Sequence, residues 1–146
     1  VGPAGRLLQD ALEEAGVSKE DVYVTNAVKH FRFTERGKRR IHATPQVTHI
    51  RACLPWLEAE MTLVDPALIV CLGATAARAL LGSSFRVTKQ RGQVLELETP
   101  VGVRPVLATV HPSAVLRAAG EDRDEAFAGL VADLRTARDA VSRQER

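Results

Sequence analysis

The sequence is poor in cysteine and in aromatic residues, and it contains no long apolar run. Its 146 residues include two cysteines, and 4% of them are aromatic. Two cysteines are too few for the disulfide framework of a small secreted domain, so a cytoplasmic protein is favoured. No apolar stretch approaches the roughly 18 residues that a membrane-spanning helix needs, so we expect no membrane partner. With no internal repeat or low-complexity segment, residues 1–146 are predicted to form one globular domain.

Positive charge is concentrated in one part of the chain. Residues 29–51 hold seven Lys or Arg and one acid, a local charge of +6. The remaining residues hold 13 bases and 17 acids, a charge of −4, so the net charge is +2. At the centre is ERGKRRIHATPQ (residues 35–46), where four cations precede His42. Such a concentration indicates a phosphate-rich partner such as nucleic acid, and a solvated basic loop is the alternative.

Three β-branched or apolar runs predict strands. They are DVYVTNAV (21–28), PALIVCLG (66–73) and RPVLATVHPS (104–113). The segment FRVTKQRGQVLEL (85–97) predicts a hairpin that turns near Arg91 and Gly92.

Helical periodicity and capping residues predict helices between these strands. The predicted helices run from Pro3 to Gly16, from Thr44 to Val64, over ATAARALLG (74–82), and from Asp122 onward. Strands that alternate with helices indicate a three-layer α/β/α domain with a short, mainly parallel sheet.

Polar residues follow the predicted strands at the ends where such sheets bind ligands. Ligands lie beyond the carboxyl ends of parallel strands. Asn26 and His111 lie at two of these ends, and the basic loop that contains His42 leaves from the first of them. We therefore expect these three residues on one rim of the sheet.

The segments VTNAVKHFRFTERGKRRIHATP and HPSAVLR resemble the UdgX branch of the uracil-DNA glycosylases, relatives of the iron–sulfur family 4 enzymes. The segments VGPAGRLLQDAL, RACLPWLEAEM and LIVCLGATAARALLG extend the resemblance over most of the chain. It implies a uracil-DNA glycosylase-like fold and an enzyme that excises uracil from DNA and stays covalently joined to the abasic sugar. It also implies a first strand with a GEQPG-like loop upstream of Val1, so we expect a longer natural protein and doubtful folding of these residues alone.

The resemblance assigns the reacting groups to three residues. Asn26 corresponds to the residue that reads uracil, because its carboxamide matches the O4 acceptor and N3–H donor of the base. His111 corresponds to the histidine that binds uracil O2 and stabilises the departing anion. His42 corresponds to the nucleophile that attacks C1′ of the deoxyribose.

Further residues are implied to contact the DNA backbone. They are Gly37, Lys38, Arg39, Arg40, Ser113 and Arg117. The partner would be uracil-containing DNA, single-stranded as well as duplex, bound by a monomer in a bacterial-type cytosol near the nucleoid.

The two cysteines have two interpretations. On their own, Cys53 and Cys71 are typical of small buried apolar residues. By resemblance they are two of the four ligands of a [4Fe–4S] cluster, whose C-x-x-C pair would lie upstream of Val1.

Two other activities remain open at the level of the sequence. An ordinary hydrolytic glycosylase would use water in place of His42. A nucleic-acid-binding α/β module would use the basic loop without chemistry and would not distinguish uracil from thymine.

Overall fold

The computed structural model describes residues 2–25 and 57–144, which form helices and three strands. The helices are α1 (Pro3–Ala15), α2 (residues 57–64), α3 (Gly73–Leu81), α4 (Val87–Gln90), α5 (Pro112–Arg117) and α6 (Gly120–Gln144). The strands are β1 (Ile69–Leu72), β2 (Leu95–Thr99) and β3 (Gly102–Thr109), and a 3₁₀ turn covers Lys19–Asp21. No helix in the described ranges is long and apolar enough to cross a membrane.

The three strands form one sheet with β3 in the centre. The order is β1-β3-β2, with β1 parallel and β2 antiparallel to β3. In the parallel pair Ile69 lies opposite Val106 and Leu72 lies opposite Thr109. The carboxyl ends of β1 and β3 therefore meet at one edge of the sheet, which we call the carboxyl edge.

Apolar residues cover both faces of the sheet. On one face, Val70 of β1 packs against a cluster from α1, α5 and α6 that includes Leu12, Val115 and Leu130. On the other, Cys71 packs with Ala77 and Phe85 from the α3–α4 side. Neighbouring residues of a strand point to opposite faces, so these clusters define the two outer layers. The α/β fold with helices on both faces of a small sheet is confirmed.

The first helix ends where the sequence predicts. Gly16 has a φ of 80°, a left-handed conformation that glycine adopts without steric cost. Its N–H donates to the Glu13 carbonyl at 3.0 Å, and the Val17 N–H donates to the Leu12 carbonyl at 2.8 Å. These bonds satisfy carbonyls that the end of the helix leaves without a partner.

The hairpin turns at a different place from the predicted one. It joins β2 to β3 through residues 100–101, and the residues before Arg91 form the short helix α4. Thr99 Oγ1 donates to the Gly102 carbonyl at 2.6 Å and accepts the Val101 N–H at 3.2 Å. Gly102 has a φ of 110°. The side-chain bonds and this glycine favour a turn there, so the prediction at Arg91 and Gly92 was wrong.

The predicted strand over residues 21–28 is not formed in residues 21–25. Asp21 belongs to the 3₁₀ turn, and residues 22–25 carry no strand pairing. The Tyr23 and Thr25 side chains instead bond to α2, as described below. Residues 26–28, and the predicted helix before residue 57, lie outside the described residues.

Candidate active site

The carboxyl edge brings together residues that follow β1 and β3. Gly73 comes directly after β1, and His111 comes two residues after the end of β3. Of the predicted site residues, the structure describes His111, Ser113, Arg117 and Cys71. The others lie outside the described residues: Asn26, Gly37, Lys38, Arg39, Arg40, His42 and Cys53.

His111 is held by the first turn of α5. It is the N-cap of this helix, with an extended backbone (φ −76°, ψ 141°), and Pro112 begins the helix. An extended conformation is what a residue before proline prefers. The backbone N–H of Ser113 donates to His111 Nδ1 at 3.0 Å, and Ser113 Oγ lies 2.8 Å from the same nitrogen. The ring is therefore fixed by two contacts from Ser113.

The bond to Ser113 determines which ring nitrogen carries the proton. A backbone N–H can only donate, so Nδ1 must accept, and the neutral imidazole carries its proton on Nε2. Partial burial of the ring, and secondarily the positive charge of Arg117, lower the pKa of His111 below its usual value. At neutral pH His111 is thus an uncharged N–H donor. The part of the residue that is not buried is exposed at the carboxyl edge.

Gly73 makes room for His111. Its φ is 90°, and a Cβ at this position would lie 3.0 Å from His111 Cβ. That separation is below ordinary van der Waals contact, so a side chain would push the histidine or the strand end aside. No role was predicted for this glycine, although it is the last residue of the predicted strand PALIVCLG (66–73).

Ser113 and Arg117 lie one turn apart on α5. Arg117 Nη1 donates to Ser113 Oγ at 3.5 Å, a long contact, and Arg117 is exposed. A guanidinium and a hydroxyl beside His111 are groups that bind phosphate oxygens. The structure places these three predicted site residues on or next to α5.

A partly buried polar network supports the end of β3. Asp133 Oδ2 on α6 accepts Thr109 Oγ1 at 2.6 Å and Arg91 Nε at 2.9 Å. Thr109 is the last residue of β3 and is fully buried. No local sequence pattern indicates this network, because Thr109 and Arg91 lie 24 and 42 residues from Asp133.

A second polar cluster fixes the chain just before Asn26. Glu60 on α2 is buried, and its carboxylate accepts hydrogen bonds from the hydroxyls of Tyr23 and Thr25, the latter at 2.8 Å. The bond from Tyr23 to this carboxylate is the main cause that raises the pKa of the phenol. Thr25 directly precedes Asn26, so this cluster holds the chain immediately before a predicted site residue. Sequence patterns alone did not reveal it.

The surroundings of Cys71 do not fit a ligand of an iron–sulfur cluster. The residue is 1% exposed and packs among Ala77, Phe85 and Val106. Burial raises the pKa of its thiol to about 12, so the neutral thiol is favoured over the thiolate that a metal requires. Within residues 2–25 and 57–144, no group of three or more His, Cys, Asp or Glu side chains could hold a metal ion.

Comparison with known families agrees with this fold. A family model described as the Uracil DNA glycosylase superfamily matches residues 1–135. The chain therefore belongs to the uracil-DNA glycosylase superfamily.

Three curated relatives are each named Type-4 uracil-DNA glycosylase. The protein of Thermotoga maritima is 37% identical over 118 residues, which cover 80% of this chain and 56% of the relative. The protein of Pyrobaculum aerophilum is 36% identical over 121 residues, covering 80% and 58%. The protein of Archaeoglobus fulgidus is 32% identical over 120 residues, covering 80% and 57%. The chain thus spans a little over half the length of these relatives.

Proposed function

We propose that the protein is a uracil-DNA glycosylase that flips uracil out of DNA, excises it, and becomes covalently linked to C1′ of the abasic deoxyribose through His42. Membership of the superfamily supports excision, and the names of the relatives support uracil in DNA as the substrate. The observation that carries the excision step is the bond from the Ser113 N–H to His111 Nδ1, whereas the link through His42 rests on the resemblance of the basic loop. The bond to Nδ1 leaves a neutral Nε2–H donor at the carboxyl edge of the sheet.

His111 would stabilise the leaving group. As the bond between C1′ and N1 of uracil breaks, its electron pair moves onto the base and negative charge develops on O2 and O4. A fixed N–H donor directed at O2 stabilises this charge without reorganising during the reaction. The flipped base is also removed from water, which strengthens the interaction.

Asn26 would select uracil over cytosine. Its carboxamide can accept from N3–H and donate to O4, whereas cytosine presents a donor and an acceptor in the opposite order. A buried mismatch of this kind is costly and therefore discriminates strongly. The bond from Thr25 to Glu60 supports this role, because it fixes the residue that directly precedes Asn26.

His42 would form the covalent bond. The lone pair of its neutral imidazole bonds to C1′ while the bond between C1′ and N1 breaks and the electron pair leaves with uracil. The departing base takes up one proton and the alkylated imidazole releases one, so the charges balance. Positioning a nucleophile in this way can contribute about 7–11 kcal/mol. An imidazole attached to a neutral sugar is a poor leaving group, which explains why the link would persist.

The basic loop would hold the DNA and keep His42 uncharged. Lys38, Arg39 and Arg40 would pair with backbone phosphates, and Gly37 would allow the loop to turn. Neighbouring positive charges disfavour the imidazolium form of a histidine. On the α5 side, Ser113 and Arg117 would contact the backbone next to the flipped nucleotide. We propose that the protein acts as a cytoplasmic monomer on single-stranded and duplex DNA.

A [4Fe–4S] cluster remains part of this proposal only through the resemblance to family 4 enzymes. Cys71 does not fit as a ligand for the reasons given above, and Cys53 lies outside the described residues. No step of the reaction is therefore assigned to a cluster.

The test uses the natural full-length protein and single-stranded DNA that contains one uracil, with a thymine strand as control. We expect release of free uracil and a heat-stable shifted band on a denaturing gel, and loss of this band in His42→Ala. Free uracil with abasic DNA and no shifted band would indicate a hydrolytic glycosylase. Salt-sensitive binding that is equal for uracil and thymine, without base release, would indicate a binding module.

A further inference from the structure

We propose that Thr109, Asp133 and Arg91 form a positioning network that sets the place of His111 relative to the flipped base. The inference rests on the proposed function and adds three residues that do not touch the substrate. It concerns how the fold holds the His111 side chain in the position that excision requires.

The network joins three elements at one oxygen atom. Asp133 Oδ2 accepts Thr109 Oγ1 from the end of β3 and Arg91 Nε from the segment between α4 and β2. The Asp133 side chain is 14% exposed and that of Arg91 is 30% exposed. A carboxylate so far removed from water needs a compensating charge and hydrogen bonds, and Arg91 and Thr109 supply them.

Backbone contacts and two glycines allow these elements to approach closely. The Gly92 N–H donates to the Ala108 carbonyl at 2.9 Å, which attaches the segment to β3 directly beside Thr109. A Cβ at Gly92 would lie 2.7 Å from Asp133 Oδ1, and one at Gly129 would lie 2.6 Å from Arg91 Nη2. A side chain at either position would therefore force Asp133 or Arg91 to move from its place in the network.

The connection from the network to His111 is short. One residue, Val110, separates Thr109 from His111, and α5 begins immediately afterwards at Pro112. On the β1 side, His111 packs against Gly73. A shift at Thr109 therefore moves the imidazole toward or away from Gly73. A misplacement of about 1 Å can cost about 100-fold in rate, even when its cause is remote from the reacting atoms.

The experiment measures single-turnover uracil excision by the natural full-length protein. Thr109→Val keeps the shape of the side chain and removes its hydroxyl. We expect its excision rate to fall about tenfold or more, while DNA affinity stays within about twofold because phosphate contacts supply most of it. Thr109→Ser, which restores the hydroxyl, is expected to recover most of the rate. Thr136→Val is the matched control, since its hydroxyl bonds to the Ala132 carbonyl on the exposed side of α6.

A double-mutant cycle separates positioning from general stability. If Thr109 acts through His111, Thr109→Val causes no further loss in a His111→Ala background. Independent, multiplying effects would overturn the inference, as would wild-type rates in Thr109→Val. If Thr109→Val loses its cooperative thermal transition, Asp133→Asn takes its place in the cycle. The expected result is again no further loss in the His111→Ala background, and independent effects would again overturn the inference. Absence of excision by the wild type would instead refute the proposed function, and the inference with it.

Discussion

The protonation of one imidazole connects the local structure to the proposed chemistry. His111 donates through Nε2 because the Ser113 N–H occupies Nδ1. The arrangement needs a neutral ring, and both partial burial and Arg117 favour that form. The same residue caps α5, so the helix that orients the ring also depends on it.

A titration tests this assignment. We expect the pKa of His111, followed by NMR, to lie below the usual value of about 6.5. Arg117→Gln should move it part of the way back, because burial is the larger cause. Arg135→Gln, whose arginine bonds to the Glu14 carbonyl, is the control. A pKa above about 6.5 would contradict the neutral donor.

The lowered pKa also affects stability. Above about pH 6.5 His111 is neutral in both the folded and the unfolded state, so its titration does not change the free energy of unfolding. As the pH falls below that value, the unfolded state binds a proton that the folded state does not bind. The contribution of His111 to the free energy of unfolding therefore decreases until the pH reaches its lowered pKa.

Gly73 is predicted to be required for catalysis as well as for folding. Gly73→Ala places a Cβ 3.0 Å from that of His111 at a φ of 90°. We expect a loss of about 1–3 kcal/mol in the free energy of unfolding and a clear decrease in excision rate. Gly82→Ala is the matched control, because Gly82 has a φ of 107° with no atom within 4 Å of the added Cβ. Equal effects of both variants on excision would contradict the role of Gly73.

At the scale of elements, local sequence patterns predicted more of the helices than of the turns. Gly16 ends α1 as expected, since its left-handed conformation is a local preference. The hairpin was misplaced because two candidate turns, at residues 91–92 and 100–101, both contain or adjoin a glycine. The choice between them depends on pairing with β3, which is a long-range interaction. The candidate site shows the same division: the HPS motif predicts a role for His111, whereas no local pattern indicates Asp133 or Glu60, whose contacts are tertiary.

The face of the sheet on which Cys71 lies determines its role. Cys71 faces the α3–α4 side of β1 and packs among apolar residues. We expect Cys71→Ala to lower the free energy of unfolding by about 1 kcal/mol, as for the loss of a small buried group. Iron content and visible absorbance of the full-length protein should not change. Cys53→Ala is the comparison, and a similar loss of iron in both variants would show that Cys71 is a ligand.

At the scale of the whole molecule, the charge distribution predicts how DNA binding responds to salt. The +6 charge of residues 29–51 is opposed by −4 in the remainder, so binding should depend on the basic loop and not on net charge. Lys38→Ala should reduce the slope of log affinity against log salt for single-stranded DNA by about 0.7. Arg104→Gln removes a charge from the amino-terminal half of β3, at the opposite edge of the sheet, and should leave the slope unchanged. An unchanged slope in Lys38→Ala would contradict the phosphate contact.

The most direct test of the account locates the covalent link on the protein. After reaction with uracil-containing single-stranded DNA, trypsin cleavage after Arg40 and Arg51 gives a peptide that contains His42 and His49. Mass spectrometry with fragmentation can distinguish the two histidines. We expect an abasic deoxyribose adduct on His42 in an amount equal to the free uracil released. Release of uracil with an unmodified peptide, or an adduct on another residue, would contradict it.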